Sequence, residues 1–219
     1  MGDFDGHYTQ WRESRLNGLD KYLVDDFFNG KKVLELGCAR ADIAYTLQNK
    51  GANVTGCDGR QENLTLANTF YPSVNTFLWD GEKDPIPEYY TVIVHQGLLY
   101  HLNKDSLQTH LTNVLSNCDV LILESEVCDS SDLDVFEAYE IGYDQALNGV
   151  GSRPSESFVE KILAENGFSF KSIKDSILNA VFHTYDWEIT NSKEWKHGQR
   201  RFWICWKNGV DCPIKPELV

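Results

Sequence analysis

Apolar and polar residues follow two periods along the chain, one typical of buried strands and the other of amphipathic helices. Short apolar segments bounded by glycine or polar residues predict seven strands. They span residues 33–36, 53–57, 76–79, 91–94, 119–123, 168–173 and 202–206. Segments with apolar residues at helical spacing lie between several of these strands, as at Ile43, Ala44 and Leu47. Because strands that alternate with helices build βαβ units, this pattern predicts an α/β fold with a mostly parallel sheet.

The chain contains no repeat, low-complexity tract or Pro/Gly-rich linker, so residues 1–219 are predicted to form a single domain. A helical preface, residues 1–29, opens the domain with a helix from about His7 to Phe28. Later helices are predicted over residues 104–116 and from Pro154 to Gly167, where proline and glycine provide a start and a stop signal.

Two segments have no clear helix or strand period. Residues 125–153 are acidic and contain Tyr139, Tyr143 and several glycines, which favours an insertion that forms a lid over the carboxyl edge of the sheet. The aromatic alternation from Ala180 to Trp187 fits either a strand or a substrate loop, and both interpretations stay open.

The net charge of −13 makes nucleic acid an unlikely partner, because phosphates would be repelled unless a basic patch assembled locally. The basic cluster at residues 196–201 is interpreted as a solvated entry to a strand. No apolar run is long enough for a membrane helix, and the first ten residues lack the pattern of a secretory signal. We therefore predict a cytoplasmic protein without a membrane partner.

The cysteines are scattered through the chain without a C-x-x-C pair or a spacing suited to zinc. They are Cys38, Cys57, Cys118, Cys128, Cys205 and Cys212. Most lie in or beside apolar runs, where a free thiol behaves as a small hydrophobic side chain. We predict reduced core thiols and no metal site, since no acidic segment has the spacing of an oxygen-ligand loop either.

Polar residues follow the predicted strands at the positions where a ligand crevice is expected in an open parallel sheet. The first turn reads Glu35-Leu-Gly37-Cys-Ala39-Arg-Ala41-Asp42, where small residues let the backbone approach a ligand. Asp58 ends the second strand about 20 residues later, a position from which a carboxylate can accept hydrogen bonds from ribose hydroxyls. Trp79 and Asp80 end the third strand and could hold an adenine base.

In this order and spacing the chain resembles the class I S-adenosylmethionine-dependent methyltransferases, well over residues 30–125 and loosely onward through RPSESFVEKILAENGF. The resemblance implies a Rossmann-like three-layer sandwich whose mostly parallel seven-stranded sheet ends in an antiparallel strand, with S-adenosylmethionine as the cofactor. The residues predicted to bind the cofactor are Arg12, Glu35, Gly37, Cys38, Ala39, Asp58, Gly59, Trp79, Asp80, His95 and Gln96.

The turn departs from the family at Ala39 and Ala41, where glycine is usual. Alanine adopts a positive φ only at a cost, but the later part of the turn is expected to be helical, which alanine favours. A dinucleotide is the weaker alternative ligand, because its pyrophosphate needs a glycine-rich phosphate turn that this chain lacks. Arg12 or Arg15 could hold the cofactor carboxylate, although a surface salt bridge with Glu13 or Asp20 is the alternative.

The segment after the fourth strand is similar to the family segment that borders the methyl acceptor. His95 and His101 are both candidate general bases, since imidazole titrates near neutral pH, and a structural role is the alternative for each. The side chains predicted to contact the acceptor are Tyr100, His101, Tyr143, Arg153 and His183.

We therefore predict methyl transfer to an oxygen or nitrogen of a small molecule, such as a carbohydrate or another metabolite hydroxyl. A tRNA-modifying methyltransferase is a second possibility, because GLLYH at residues 97–101 looks like a segment of some enzymes that act on tRNA wobble bases, although the acidic charge opposes it. A domain that binds S-adenosylmethionine without turnover is a third. The sequence specifies neither the acceptor nor the oligomeric state.

Overall fold

The computed structural model describes residues 5–140, 142 and 145–219. Their strands are β1 (Lys32–Leu36), β2 (Asn53–Asp58), β3 (Asn75–Leu78), β4 (Tyr90–Gln96), β5 (Cys118–Glu126), β6 (Val135–Tyr139), β7 (Val150–Pro154), β8 (Phe168–Ile173) and β9 (Arg200–Lys207). The α-helices are α1 (His7–Tyr22), α2 (Asp42–Asn49), α3 (Gln61–Phe70), α4 (Leu107–Ser116) and α5 (Glu156–Glu165). Among these helices, none is long and apolar enough to cross a membrane.

Seven strands form one sheet in the order β3-β2-β1-β4-β5-β9-β8, and β6 pairs with β7 in a separate antiparallel ribbon. β1 to β5 pair in parallel, whereas β9 runs antiparallel to both of its neighbours. The strand order reverses at β1, which lies between β2 and β4, so a ligand crevice is expected outside the carboxyl ends of these strands. The predicted mostly parallel seven-stranded sheet with an antiparallel C-terminal strand is confirmed.

Apolar side chains cover both faces of the sheet, which gives three layers. Val33 of β1 belongs to the layer under α1, α2 and α3, while Leu34 and Leu36 belong to the layer under α4 and α5. Strands buried on both faces need apolar residues at successive positions, which explains the continuous runs in the sequence. The cysteines are free thiols, and all except the partly exposed Cys212 are buried, as predicted.

Several boundaries differ from the sequence prediction. α1 ends at Tyr22 instead of Phe28, because Leu23 turns to an extended conformation and pairs with Ile214. α3, which the sequence analysis did not predict, buries Leu64 and Ala67 against the sheet. The segment 180–187 forms no extended strand, and its backbone makes only isolated bridges, such as the one between Ala180 and His183.

Candidate active site

The turn between β1 and α2 adopts a backbone that normally requires glycine. Gly37, Ala39 and Ala41 have φ angles of 67°, 48° and 63°. Ala41 precedes α2 in this left-handed conformation, so the expectation that it would be helical is wrong. The cost of such a conformation is on the order of 1–2 kcal/mol for each alanine. The turn is held by hydrogen bonds, since the Ala39 N–H donates to Asp58 Oδ2 over 3.0 Å and the Ala41 N–H to the Cys38 carbonyl over 2.6 Å.

Asp58 lies at the carboxyl end of β2 with its carboxylate buried and fixed in orientation. Besides the Ala39 N–H, it accepts hydrogen bonds at Oδ1 from the Arg60 N–H over 2.9 Å and from Asn63 Nδ2 over 3.0 Å. A carboxylate has about four lone-pair sites, so these three donors leave capacity for a further one. Asp58 also lines the cavity described below, where a ligand hydroxyl could reach it.

Glu35 is buried in β1, and its Oε2 accepts a hydrogen bond from the Ala44 N–H over 2.8 Å. Burial, reinforced by the charges of Asp42 and Asp58, raises the pKa of Glu35 from 4.5 to about 8. Glu35 is therefore protonated at neutral pH, and it accepts a hydrogen bond from the first turn of α2.

Glu35→Gln should change the pH dependence of stability. Because the native Glu35 keeps a proton that the unfolded chain releases, wild-type stability should fall as pH rises from about 5 to about 8. The substituted glutamine retains the acceptor oxygen and does not titrate, so the variant should gain up to about 1.4 kcal/mol over the wild type for each pH unit in this window. Urea unfolding at pH 5, 6.5 and 8 measures this difference, and a difference that stays constant with pH would contradict the shift.

One cavity of about 500 Å³ lies at the carboxyl edge of the sheet. Most of the predicted site residues line it. They are Arg12, Glu35, Gly37, Cys38, Ala39, Asp58, Gly59, Trp79, Asp80, Gln96, Tyr100, His101 and Arg153. Two predicted residues, His95 and His183, are not among the lining residues, and Tyr143 lies outside the described residues.

The end of β3 and the end of β4 supply polar groups to this cavity. The buried Trp79 indole N–H donates to the Pro85 carbonyl over 3.2 Å, and Asp80 pairs with Lys83 over 2.6 Å. The buried Gln96 side chain has no hydrogen-bond partner for its amide nitrogen or oxygen within the described part of the chain. A buried polar group without a partner is costly, and a ligand that supplies one removes this cost.

His95 is a core residue, so its prediction as a general base and cofactor ligand is wrong. Its side chain is fully buried, and its Nε2 lies 2.8 Å from Nε2 of His110. Burial and the neighbouring His110 lower the pKa of His95 well below its usual value. Because side chains alternate along a strand, His95 shares a face with Ile93, which packs in the layer under α4 and α5.

His183 is also buried, in this case against α1. Its ring stacks on Trp11 at a centroid distance of 3.8 Å. Burial and the charges of Arg200 and Arg15 lower the pKa of His183, which keeps the ring neutral. His183 therefore fixes Trp11, which itself lines the cavity, and the prediction that His183 contacts the acceptor is wrong.

The two arginines predicted on α1 both reach the cavity but differ in their partners. Arg12 lies 3.6 Å from the Asp42 carboxylate at the start of α2. Arg15 is buried and pairs with Glu124 at 2.9 Å, so the surface salt bridge considered for it is not formed. Arg12, at the mouth of the turn, is the better placed of the two to hold a ligand carboxylate.

The sequence analysis missed a buried charge network between β5 and β9. Arg200 pairs with Glu124 over 2.9 Å and donates to the Tyr100 hydroxyl over 2.9 Å. Arg200 and Arg201 are buried, so the interpretation of this cluster as a solvated strand entry is wrong. The antiparallel register places Glu126 opposite Arg200. The signal was present as two acidic residues at the end of one strand and two arginines at the start of its partner.

Glu124→Gln should destabilise the protein strongly, because it leaves Arg15 and Arg200 buried without their shared counter-ion. Breaking a buried ion pair on one side typically costs about 3–5 kcal/mol. For a domain of this size, that corresponds to a fall in Tm of roughly 6–20 °C. Calorimetric unfolding measures it, with the exposed pair variant Glu165→Gln as a control that should stay within about 1 kcal/mol of the wild type. A stable Glu124→Gln variant would contradict the proposed importance of the network.

Residues 33–118 match the profile of a methyltransferase domain family. The matched part runs from β1 to the first residue of β5 and includes the turn, Asp58, Trp79 and Gln96. This match, together with a fold shared with solved S-adenosylmethionine-dependent methyltransferases, supports a methyltransferase domain in this chain. No curated protein matches the chain.

Solved structures, among them named methyltransferases, share the fold at low sequence identity. The N-terminal domain of EvdMO1, determined in the presence of SAH and D-fucose, superimposes with a TM-score of 0.68 at 17% identity, covering 92% of this chain and 84% of that chain. Magnesium protoporphyrin IX methyltransferase (ChlM) from Synechocystis PCC 6803, with bound SAM, gives 0.61 at 16% identity over 92% and 80%. An S-adenosylmethionine-dependent methyltransferase from Mesorhizobium loti gives 0.64 at 12% identity over 92% and 100%.

Proposed function

We propose that this methyltransferase transfers a methyl group to an oxygen or nitrogen of a small-molecule acceptor. The observation that supports this most directly is the shared cavity in which Asp58 and the β1–α2 turn lie together with Tyr100, His101 and Arg153. A volume of about 500 Å³ is in the range of small-molecule sites. One cavity can therefore hold a nucleoside end and an acceptor end side by side.

The cavity residues around Asp58 and the β1–α2 turn fit S-adenosylmethionine. Asp58 would accept a hydrogen bond from a ribose hydroxyl, and Trp79 and Asp80 would border the base. Gln96 offers amide groups that lack a partner in the described part of the protein, and Arg12 would hold the carboxylate of the amino acid end. When bound, S-adenosylmethionine supplies a methyl group on a sulfonium, whose departure as a neutral thioether needs no acid.

The other half of the cavity favours a compact acceptor over a nucleic acid. Trp11, Tyr8 and Phe182 provide aromatic surface, while His101 and Arg153 provide polar contacts. The net charge of −13 opposes the phosphates of a tRNA. The fold neighbours named above include one determined with D-fucose and one whose substrate name is magnesium protoporphyrin IX. Both are small molecules, and a sugar hydroxyl is the acceptor group we place first.

A methyl-transfer assay with an acceptor panel tests this proposal. The purified protein is incubated with S-adenosylmethionine and, separately, with free sugars including D-fucose, phenols, primary amines and unmodified tRNA, and the formation of S-adenosylhomocysteine is followed. Turnover with a small hydroxyl or amine compound is the expected result. Turnover with tRNA alone would overturn the small-molecule proposal, and binding of S-adenosylmethionine without turnover on any acceptor would favour a non-catalytic domain.

A further inference from the structure

His101 and Glu140 form a pair at the wall of the cavity. His101 ends the short 3₁₀ turn that follows β4, and Glu140 follows β6 of the ribbon. Nδ1 of His101 lies 2.5 Å from Oε2 of Glu140. The imidazole is 13% exposed and lines the cavity, whereas the Glu140 side chain is 3% exposed. The carboxylate is thus placed behind the ring, on the side away from solvent.

Glu140 is itself held in place by a further hydrogen bond and an ion pair. Its Oε2 also accepts a hydrogen bond from the Ala146 N–H over 3.0 Å, and its Oε1 pairs with Arg153 Nη2 over 2.8 Å. Burial opposes ionisation of Glu140, but the hydrogen bonds from His101 and the Ala146 N–H and the charge of Arg153 outweigh it and lower the pKa of this carboxyl. Glu140 is therefore an ionised acceptor at neutral pH.

Arg153 does not neutralise Glu140 completely, because it is shared. Its guanidinium also pairs with Glu126, so one cation faces two carboxylates. Glu126 in turn contacts His197 at the rim of the cavity. Arg15 and Arg200 share Glu124, so in this network the excess of positive charge lies around Glu124 and not around Glu140. Glu140 therefore remains available to pair with His101.

We propose that Glu140 is a positioning residue that holds His101 as the general base of this site, and that the acceptor nucleophile is consequently a hydroxyl group. This inference rests on the proposed function. The ionised carboxylate can only accept, so Nδ1 of His101 must carry its proton and Nε2 keeps its lone pair for the acceptor. The same arrangement stabilises the imidazolium that forms after proton transfer.

Methyl transfer to a hydroxyl moves one proton and two electron pairs. The hydroxyl oxygen forms the new bond to the methyl carbon while the carbon–sulfur bond breaks and its electron pair stays on sulfur. Nε2 of His101 takes the hydroxyl proton, and solvent removes it from the imidazolium after the product leaves. A hydroxyl needs this base because its oxygen would otherwise carry a positive charge in the product, whereas a neutral amine can attack without one.

Nitrogen NMR of the protein labelled with ¹⁵N-histidine tests the assignment without any acceptor. The His101 resonance is identified by its loss in His101→Gln. In the wild type at pH 8 we expect the Nδ1-protonated tautomer. In Glu140→Gln we expect the population of this tautomer to fall, because an amide can donate as well as accept a hydrogen bond and can therefore pair with either tautomer. Glu137→Gln, which changes an exposed carboxylate on β6, is the matched control and should leave the tautomer unchanged.

A wild-type His101 protonated at Nε2 would overturn the inference by itself, even if Glu140→Gln failed to fold. A tautomer that is the same in the wild type and in a folded Glu140→Gln variant would overturn it too. S-adenosylhomocysteine binding, measured on the same samples, distinguishes a failure of the proposed function from a failure of the role assigned to Glu140. Absence of S-adenosylhomocysteine binding by the wild type would contradict the proposed function. Normal binding with His101 protonated at Nε2 would contradict only the role of Glu140.

Acceptor preference and steady-state kinetics provide a second test of the proposal. With the best acceptor of the panel, Glu140→Gln should lower kcat by roughly tenfold or more and leave KM within about threefold. The double variant with His101→Gln should be no more than about threefold slower than His101→Gln alone, since Glu140 acts through His101. Additive losses, or a wild type that methylates amines and no hydroxyl compound, would overturn the proposal.

Discussion

His101→Gln should lower kcat by about 10² to 10⁴-fold with the best hydroxyl acceptor, the range typical of removing a general base. Glutamine preserves a polar side chain of similar length but cannot take a proton near neutral pH. The binding of S-adenosylhomocysteine should be unchanged within about threefold, because the residues proposed to hold it lie on β1 to β4 and the preface helix. A continuous assay of S-adenosylhomocysteine formation measures kcat, and calorimetry measures the binding.

The neighbouring Lys104→Gln is the control for this variant, since Lys104 pairs with Glu137 at the surface. It should retain wild-type turnover. If His101→Gln also retained turnover, proton removal would have to fall to another group or to solvent, and the role assigned to His101 would be withdrawn.

Asp58→Ala should weaken the binding of S-adenosylhomocysteine by about 10- to 100-fold. A hydrogen bond to a charged group contributes about 1.5–3 kcal/mol, and one ribose hydroxyl is expected to use the remaining acceptor capacity of this carboxylate. The substitution also removes the acceptor for the Ala39 N–H, which keeps the turn in its left-handed conformation. Loss of the ribose contact and loosening of the turn therefore act in the same direction.

Glu62→Gln is the matched control for Asp58→Ala, because Glu62 lies in the first turn of α3 and is exposed. Its affinity for S-adenosylhomocysteine should equal that of the wild type within about twofold, as expected for a surface change. Circular dichroism confirms that both variants are folded. A folded Asp58→Ala variant that binds normally would show that the nucleoside lies elsewhere.

The sheet and the cofactor half of the site could be predicted from the sequence because both depend on local patterns. Apolar strands alternating with helices define the sheet, and each polar strand end falls at its carboxyl edge. Asp58 and the turn from Glu35 to Asp42 therefore came together as predicted. The left-handed conformation of Ala39 could not be predicted, since it is held by a hydrogen bond to Asp58 across the sheet edge.

The acceptor half depends on long-range packing, and there the sequence was less informative. Two histidines six residues apart looked equivalent, but strand alternation buries His95 while the 3₁₀ turn brings His101 to the cavity. Glu140 and Arg200 were missed because their partners lie far along the chain. The lid role of residues 125–153 stays a prediction, although Leu147 and Arg153 of that segment line the cavity.

Calorimetric titration of the purified wild-type protein with S-adenosylmethionine, S-adenosylhomocysteine and NAD tests the central claim most directly. We expect one site for both adenosyl ligands, with heat lost in Asp58→Ala, and no saturable binding of NAD. Absence of binding for both adenosyl ligands, or preferential binding of NAD, would contradict the assignment of this cavity to a methyltransferase cofactor.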